Sequence, residues 1–365
     1  MGGREHGAVG TGPMTVHAAL ELLVASGQTP GAIVQVSVNG RRHEPVAVGS
    51  LASIDATGAP LQSREPVTVE TRYDLASVTK LYSALTALRL VDAGVLSLHE
   101  PVATVLPRFA DGTATLRHLL THTSGLPPTW DGWRARPAPD RAAAITAITS
   151  LPPVTAPGTA YEYSCLGYIT TMALAESVTG RPWDDLVHEL VLDPLGLTDT
   201  GFTPIGDTIA PTEYQPELGR GLVRGIVHDE TAAALGGVSA NAGLFATVGD
   251  LLSFGEAMNS GFAGLLEPET AAAFAGNELA DILPSLAAKP AWGQGLGPRM
   301  GQASWMTSRL PTAIGHNGFT GPSVLADPSS GLVVAFLTNR VHPSRTASDG
   351  NAIRLAVHEA VVDSL

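Results

Sequence analysis

The sequence predicts an α+β fold: an α/β layer built from both ends of the chain, with a mostly helical region inserted between them. Three observations point there. Strand-like runs with hairpin signals lie near both termini. Apolar residues recur at three- and four-residue steps through the middle. The last segment returns to a helical spacing that would close the layer. The expected boundaries are 14–74 and 286–365 for the α/β layer and 75–285 for the insertion, with any active site between them.

The elements follow in order. GAIVQVSV (31–38) is rich in β-branched residues and ends at Asn39-Gly40, a strong hairpin signal, and Val46-Ala47-Val48-Gly49 is the return strand. SVTKLYSALTALRLVD (77–92) carries Leu81, Leu85, Leu88 and Val91 at helical steps, and Gly94 stands where a helix stop is expected. Residues 140–149 and 166–178 read as helices, as does 183–191 after the turn Gly180-Arg181-Pro182. Ser323–Asp327 and Leu332–Leu337 read as strands joined by Pro328-Ser329-Ser330-Gly331, and a closing helix is expected from about Asp349 to Ser364. No internal repeat is seen.

Composition narrows the function. The 365 residues are 44% hydrophobic and 15% charged, enough for one large domain or two intertwined ones. Only the opening MGGREHGAVGTG resembles a linker. A net charge of −13 supplies neither the basic stripe a nucleic acid requires nor a polybasic handle for a membrane. The single cysteine, Cys165, permits no intrachain disulfide. With no charged-then-apolar leader and no run of 18 apolar residues, a cytoplasmic location is the expectation.

The chemistry starts at Ser77-Val78-Thr79-Lys80. Residues three apart on a helix share a face, with Cβ atoms roughly 5–6 Å apart. A serine hydroxyl becomes a nucleophile when a neighbouring base takes its proton. Lysine can be that base once burial or nearby positive charge lowers its pKa, whereas arginine keeps its proton. The chain has two lysines, Lys80 and Lys289, among 21 basic residues, so a lysine at this spacing stands out. In a first turn, Ser77 would also lie beside free backbone amides that favour an oxyanion. Against this, Ser-x-x-Lys arises by chance, and a first-turn serine is commonly only a cap.

Two further stretches bear on the site. In PGTAYEYSCLGY (157–168), Tyr163-Ser164 follows a Pro-Gly turn and precedes an apolar helix, so the phenol can point into a cleft and share the base role. Plain packing of Tyr161, Tyr163 and Tyr168 is the competing reading. In GHNGFTG (315–321), His316 and Gly318 can line a cleft at a strand edge. The Phe319 N–H can then join that of Ser77 in holding an oxyanion; a turn histidine with no role is the alternative. Nothing suggests a metal or cofactor: there is no His-Glu-x-x-His, and His228-Asp229-Glu230 are adjacent and do not converge on one ion. Gly-x-Ser-x-Gly and a glycine-rich nucleotide loop are also absent.

Taken together and in this order, Ser77-x-x-Lys80, Tyr163-Ser164-Cys165 and His316-Asn317-Gly318 resemble the three motifs of the serine β-lactamase and penicillin-binding-protein superfamily. The closer likeness is to its class C β-lactamase-like branch of esterases, D-aminopeptidases and acyltransferases. LLTHTSGLP (119–127), VHDETAAALGG (227–237), AGLFATVGDLLSF (242–254) and FLTNRVHP (336–343) resemble the same branch, so the likeness spans roughly residues 30–360. It implies a class C β-lactamase-like fold, an antiparallel sheet flanked by helices with a helical domain inserted. It implies Ser77 as the acylated nucleophile and Lys80 with Tyr163 as the base pair. Ser164, Cys165, His316, Asn317, Gly318 and Phe319 would then meet substrate, with the Ser77 and Phe319 amides forming the oxyanion hole.

Three departures matter. Cys165 stands where the family has an amide-bearing asparagine, and a thiol is a weak donor and acceptor, so β-lactam and peptide recognition come into doubt. The cysteine itself reads as a small buried hydrophobe rather than a nucleophile. Asn317 replaces threonine, and His316 replaces a more cationic lysine. Ala240-Asn241 replaces Gly-His. The expectation is a serine acyl-enzyme hydrolase of small esters or amides, taking a small-molecule acyl donor and no cofactor. Transfer of the acyl group to an amine or alcohol is the alternative. A true β-lactamase or D,D-peptidase, and a non-catalytic binding protein, rank behind. Trp130 and Trp133, in PTWDGWRARPAPD (128–140), are expected to pack on the helical region rather than shape the cleft.

Overall fold

The computed structural model describes residues 14–135, 140–287 and 293–365. The linker-like opening at residues 1–12 and residues 136–139 of the Trp130 segment lie outside these.

The N-terminal end supplies β1 (Gly31–Val38), β2 (Arg41–Arg42) and β3 (Val46–Gly49). Two short pairs follow: β4 (Tyr73–Asp74) with β7 (Phe245–Ala246), and β5 (Tyr214–Gln215) with β6 (Gly221–Leu222). The C-terminal end supplies β8 (Gly293–Gln294), β9 (Arg299–Met300), β10 (Ile314–Asn317), β11 (Ser323–Asp327) and β12 (Leu332–Thr338). Both ends join in one sheet of order β2-β1-β12-β11-β10-β9-β8, with β3 also on β1. Every ladder is antiparallel, and the central β1–β12 pair runs from Ala32 opposite Thr338 to Val38 opposite Leu332. The Asn39-Gly40 turn forms, with both residues at positive φ.

Strand alternation sorts the sheet's side chains into two layers. Ala32, Val34, Leu325, Val334 and Phe336 pack with Leu20 and Leu23 of the helix Val16–Ala25 and with Ile353, Val357 and Val361 of the closing helix Gly350–Asp363. Ile33, Val324, Val333, Ala335 and Leu337 face the other way, into a core shared with Phe254 and the helical region. Gly255 lets the helix Val248–Asn259 lie directly on the sheet: a Cβ there would meet Val333 Cγ1 at 2.6 Å and Val324 Cγ2 at 2.9 Å.

The expected helix at 77–92 is a 3-10 turn, Ala76–Val78, running into an α-helix, Thr79–Asp92. Every residue from Thr79 to Leu88 is buried, so this helix runs through the protein rather than along its surface. The expected helix at 183–191 begins as Trp183–Val187 but passes through a π turn at His188–Leu192 before Asp193–Leu195. Pro194, which lacks an N–H, interrupts the regular ladder there. Trp130 is buried in the main core and Trp133 packs against it. Among the described residues no helix is long and apolar enough to cross a membrane.

Candidate active site

The turn before Ser77 is held from several sides. The Asp74 carboxylate, 2% exposed, accepts from the Ala76 amide at 2.8 Å and the His228 amide at 2.6 Å. Its backbone carbonyl accepts from Thr320 Oγ1 at 2.7 Å, and the Leu75 amide donates to Leu244 O at 2.9 Å. Ala76 sits at φ 45°, a conformation costing a non-glycine residue about 1–2 kcal/mol. Such strain persists only where surrounding contacts over-determine the backbone, and here it immediately precedes the candidate nucleophile.

Ser77 is half-buried, and Lys80, one turn on, is fully buried. Lys80 Nζ donates to Ser77 Oγ at 3.1 Å, to the Asn241 carbonyl at 2.9 Å and to Cys165 Sγ at 3.6 Å. It lies 5.1 Å from the centre of the Tyr163 ring. Burial is the largest influence on Lys80 and disfavours its ammonium; ionised Cys165 and Tyr163 would oppose it, and together they carry the lysine above its ordinary value. Burial also pushes the Cys165 thiol up, so at neutral pH the thiol is uncharged. The lysine is thus not shifted down as burial alone would have it, which corrects the lowered value expected from the sequence.

Tyr163 comes from the loop before the helix Cys165–Thr179. Its ring is flanked by His122 at 4.4 Å, by His316 at 6.1 Å and by the Arg299 guanidinium at 4.7 Å. Tyr163 Oη, His122 Nε2, His316 Nε2 and Arg299 Nε are buried and have no hydrogen-bond partner among the described residues. Orphaned buried polar atoms cost roughly 1–3 kcal/mol each, and a cluster of them around one phenol marks a place built to receive polar ligand atoms.

The opposite wall is β10. His316 is fully buried, and its Nδ1–H donates to the Asn317 carbonyl at 2.8 Å, which leaves Nε2 as an acceptor. Burial, then Arg299 and Lys80, hold its pKa well below the usual imidazole range, so this wall carries a neutral histidine. Positive charge comes from the next strand instead: Arg299 lies opposite Gly315 in the β9–β10 ladder and donates to Asn317 Oδ1 at 3.0 Å. Gly318 presses against the nucleophile turn, where a Cβ would meet Leu75 O at 2.4 Å and Ala76 Cβ at 3.3 Å. Among the described residues, neither the Ser77 amide nor the Phe319 amide donates a hydrogen bond. Two free N–H groups on adjoining segments are what an oxyanion hole requires. The Phe319 ring is 47% exposed, with His228, Arg340 and Arg345 around it.

The structure thus brings Ser77, Lys80, Tyr163, Cys165, His316 and Gly318 together. Ser164 has a different job from the expected substrate contact. Its hydroxyl donates to Pro127 O at 2.6 Å and accepts from the Leu166 and Gly167 amides, so it caps the helix that presents Tyr163 and Cys165. The Asn317 side chain is turned to Arg299. Several members of the site went unremarked in the sequence. His122 lies inside LLTHTSGLP, where its family-like context was a signal; it accepts from the Ser164 amide at 3.1 Å. Arg299 and Asp74 had no such signal.

A sequence model of the Beta-lactamase family matches residues 16–358. The Escherichia coli (strain K12) protein named putative D-alanyl-D-alanine carboxypeptidase is 33% identical over 310 residues, 75% of this chain and 70% of that one. The N-acetylmuramyl-L-alanine amidase of Bacillus subtilis (strain 168) is 30% identical over 352 residues, 86% of this chain and 78% of that one. Among solved structures, EstCE1, described as a hydrolase with promiscuous acyltransferase activity, is similar with a TM-score of 0.74. It is 25% identical, and the match covers 95% of this chain and 97% of that one.

Proposed function

Since the chain belongs to the Beta-lactamase family, we propose that it is a serine acyl-enzyme hydrolase acting on small esters or amides. The observation that carries this reading is a fully buried lysine amine 3.1 Å from a serine hydroxyl, with two free amides alongside. Ser77 Oγ adds to the substrate carbonyl carbon as its proton passes to the Lys80–Tyr163 pair. The carbonyl oxygen takes up the electron pair beside the Ser77 and Phe319 amides. Collapse expels the alcohol or amine, which leaves with the proton held by the pair. Water then repeats the sequence, forming a new C–O bond and releasing the acid and Ser77.

Acyl transfer to an amine or alcohol is the second reading. Ser77 is only half-buried and Phe319 stands exposed at the end of its wall, which supports access for an acceptor larger than water. Turnover of a p-nitrophenyl acyl ester with and without added amines, with the acyl products quantified, separates the two. Free acid as the main product at millimolar amine supports hydrolysis. Amide as the main product moves the assignment to transfer, and no turnover of any acyl donor contradicts both.

A further inference from the structure

The peptide joining Gly318 to Phe319 has one polar group on each side, because C=O and N–H of a trans peptide point opposite ways. Its N–H is the free Phe319 amide beside the nucleophile turn. Its carbonyl, that of Gly318, accepts from Arg354 Nη2. Arg354 projects from the closing helix Gly350–Asp363, is 3% exposed, and also donates through Nε to Gly321 O at 3.1 Å and Pro322 O at 3.2 Å. No carboxylate lies within ion-pair distance of it among the described residues. The next carbonyl, that of Phe319, accepts from Arg340 Nε at 3.0 Å, and among the described residues the other side-chain hydrogen bonds of Arg340 go to the Arg345 and Ser348 carbonyls. Two guanidinium groups, neither in direct contact with a carboxylate among the described residues, thus hold consecutive carbonyls of one wall.

We propose that Arg354 is a positioning residue for acylation: its guanidinium grips the Gly318 carbonyl so that the Phe319 N–H of the same peptide is fixed and polarised toward the oxyanion formed on the substrate. This rests on the serine-hydrolase reading above. Three physical points carry it. Hydrogen bonds from a charged donor are roughly twice as strong as neutral ones. Bonds in series polarise one another, by roughly 10–30% each, so a cation on the carbonyl makes the amide a better donor. A dipole held in advance needs no reorganisation as charge develops. Merely tying a turn together needs no charge, and burying an unpaired guanidinium is costly. Burial, reinforced by Arg340 and Arg299, pulls Arg354 down to about 9, so it remains charged at neutral pH.

The test compares wild type with Arg354→Gln and Arg354→Lys. Acylation is followed by rapid mixing with a p-nitrophenyl ester carrying a ¹³C carbonyl, the acyl-ester stretch is read by infrared difference spectroscopy, and the thermal midpoint reports folding. An adduct on wild-type Ser77 is the premise, and its absence would contradict the hydrolase reading rather than this inference alone. Given the adduct, Arg354→Gln should acylate roughly tenfold more slowly at unchanged KM, less than the loss from deleting an oxyanion donor outright. Its carbonyl band should move up toward that of the denatured acyl-enzyme, and Arg354→Lys should fall between. A folded Arg354→Gln with the wild-type band and rate overturns the proposal, as does a lowered midpoint with no change in the band. If the glutamine variant does not fold, the lysine variant decides. One ammonium cannot span three carbonyls, so an unshifted band and wild-type rate there overturn the proposal as well.

Discussion

Lys80 has a hydroxyl, a carbonyl and a thiol on its amine, two aromatic rings within 5.5 Å, and no exposure. An arginine there would keep the charge and lose the base. Lys80→Arg is therefore expected to lower acylation by about 10²–10⁴-fold, the range for a positioned general base, while leaving the protein folded. Burst kinetics with a p-nitrophenyl ester check this, and retention of most activity would contradict Lys80 as the base. The two histidines at the site give a second test. Burial, with Lys80 and Arg299 nearby, holds His122 and His316 well below the ordinary imidazole value, so neither gains a proton between pH 6 and 7.5. The kcat/KM profile should carry no histidine step in that window, and a step removed by His316→Gln would contradict it. Ser77, Lys80 and Tyr163 could be picked out of the sequence because each sits in a short motif whose spacing implies a chemistry. Arg299 and Asp74 could not, because what they touch is set by pairing across 16 to 154 positions.

At the scale of elements, the site is a seam between the nucleophile turn and the edge of β10. Gly318 sets the width of that seam. Gly318→Ala would drive a Cβ into Leu75 O at 2.4 Å, which must push the Phe319 amide away from Ser77. Loss of one oxyanion donor costs about 10²–10³ in kcat, so a fall of that order is expected, with a smaller effect on KM. Steady-state kinetics on the folded variant check it, and a wild-type kcat would place the oxyanion hole elsewhere. The terminal strands and the 140–149, 166–178 and 349–364 helices were visible because each obeys one period over its length. The 3-10 start at Ala76 and the π turn at His188–Leu192 break that period for local reasons, a positive φ held by Asp74 and a proline, and periodicity alone does not report such breaks.

Across the whole molecule, burial of neutral histidines links folding to pH. His358 donates from Nδ1 to Trp305 O at 2.6 Å and pairs through Nε2 with Ser323 Oγ at 3.4 Å, so both ring nitrogens are committed in the neutral form. Burial lowers it to about 4, and His122, His316 and His342 are also lowered. The unfolded chain takes up these protons near the ordinary value of 6.5 while the folded one does not. Stability is thus full above pH 6.5 and is lost as pH falls below it, until the folded groups titrate in turn. His358 alone accounts for about 3 kcal/mol by pH 4, a large share of a typical 5–15 kcal/mol. Urea midpoints should fall from pH 7.5 to pH 5, and a flat profile would contradict the buried neutral state. The assembly of one sheet from both ends was suggested by where the strand signals cluster, and the β11–β12 pair by its turn; the pairing of β1 with β12 was not, since non-local pairing leaves no trace in local composition.

The central claim is that Ser77 becomes acylated through Lys80 and Tyr163. Its most direct measurement is the intact mass of the protein after seconds of mixing with a p-nitrophenyl acyl ester, for wild type and Ser77→Ala, followed by mapping of the adduct. The account predicts one acyl group, on Ser77, absent in the alanine variant. An adduct on Cys165 instead, or one that survives Ser77→Ala, would contradict it.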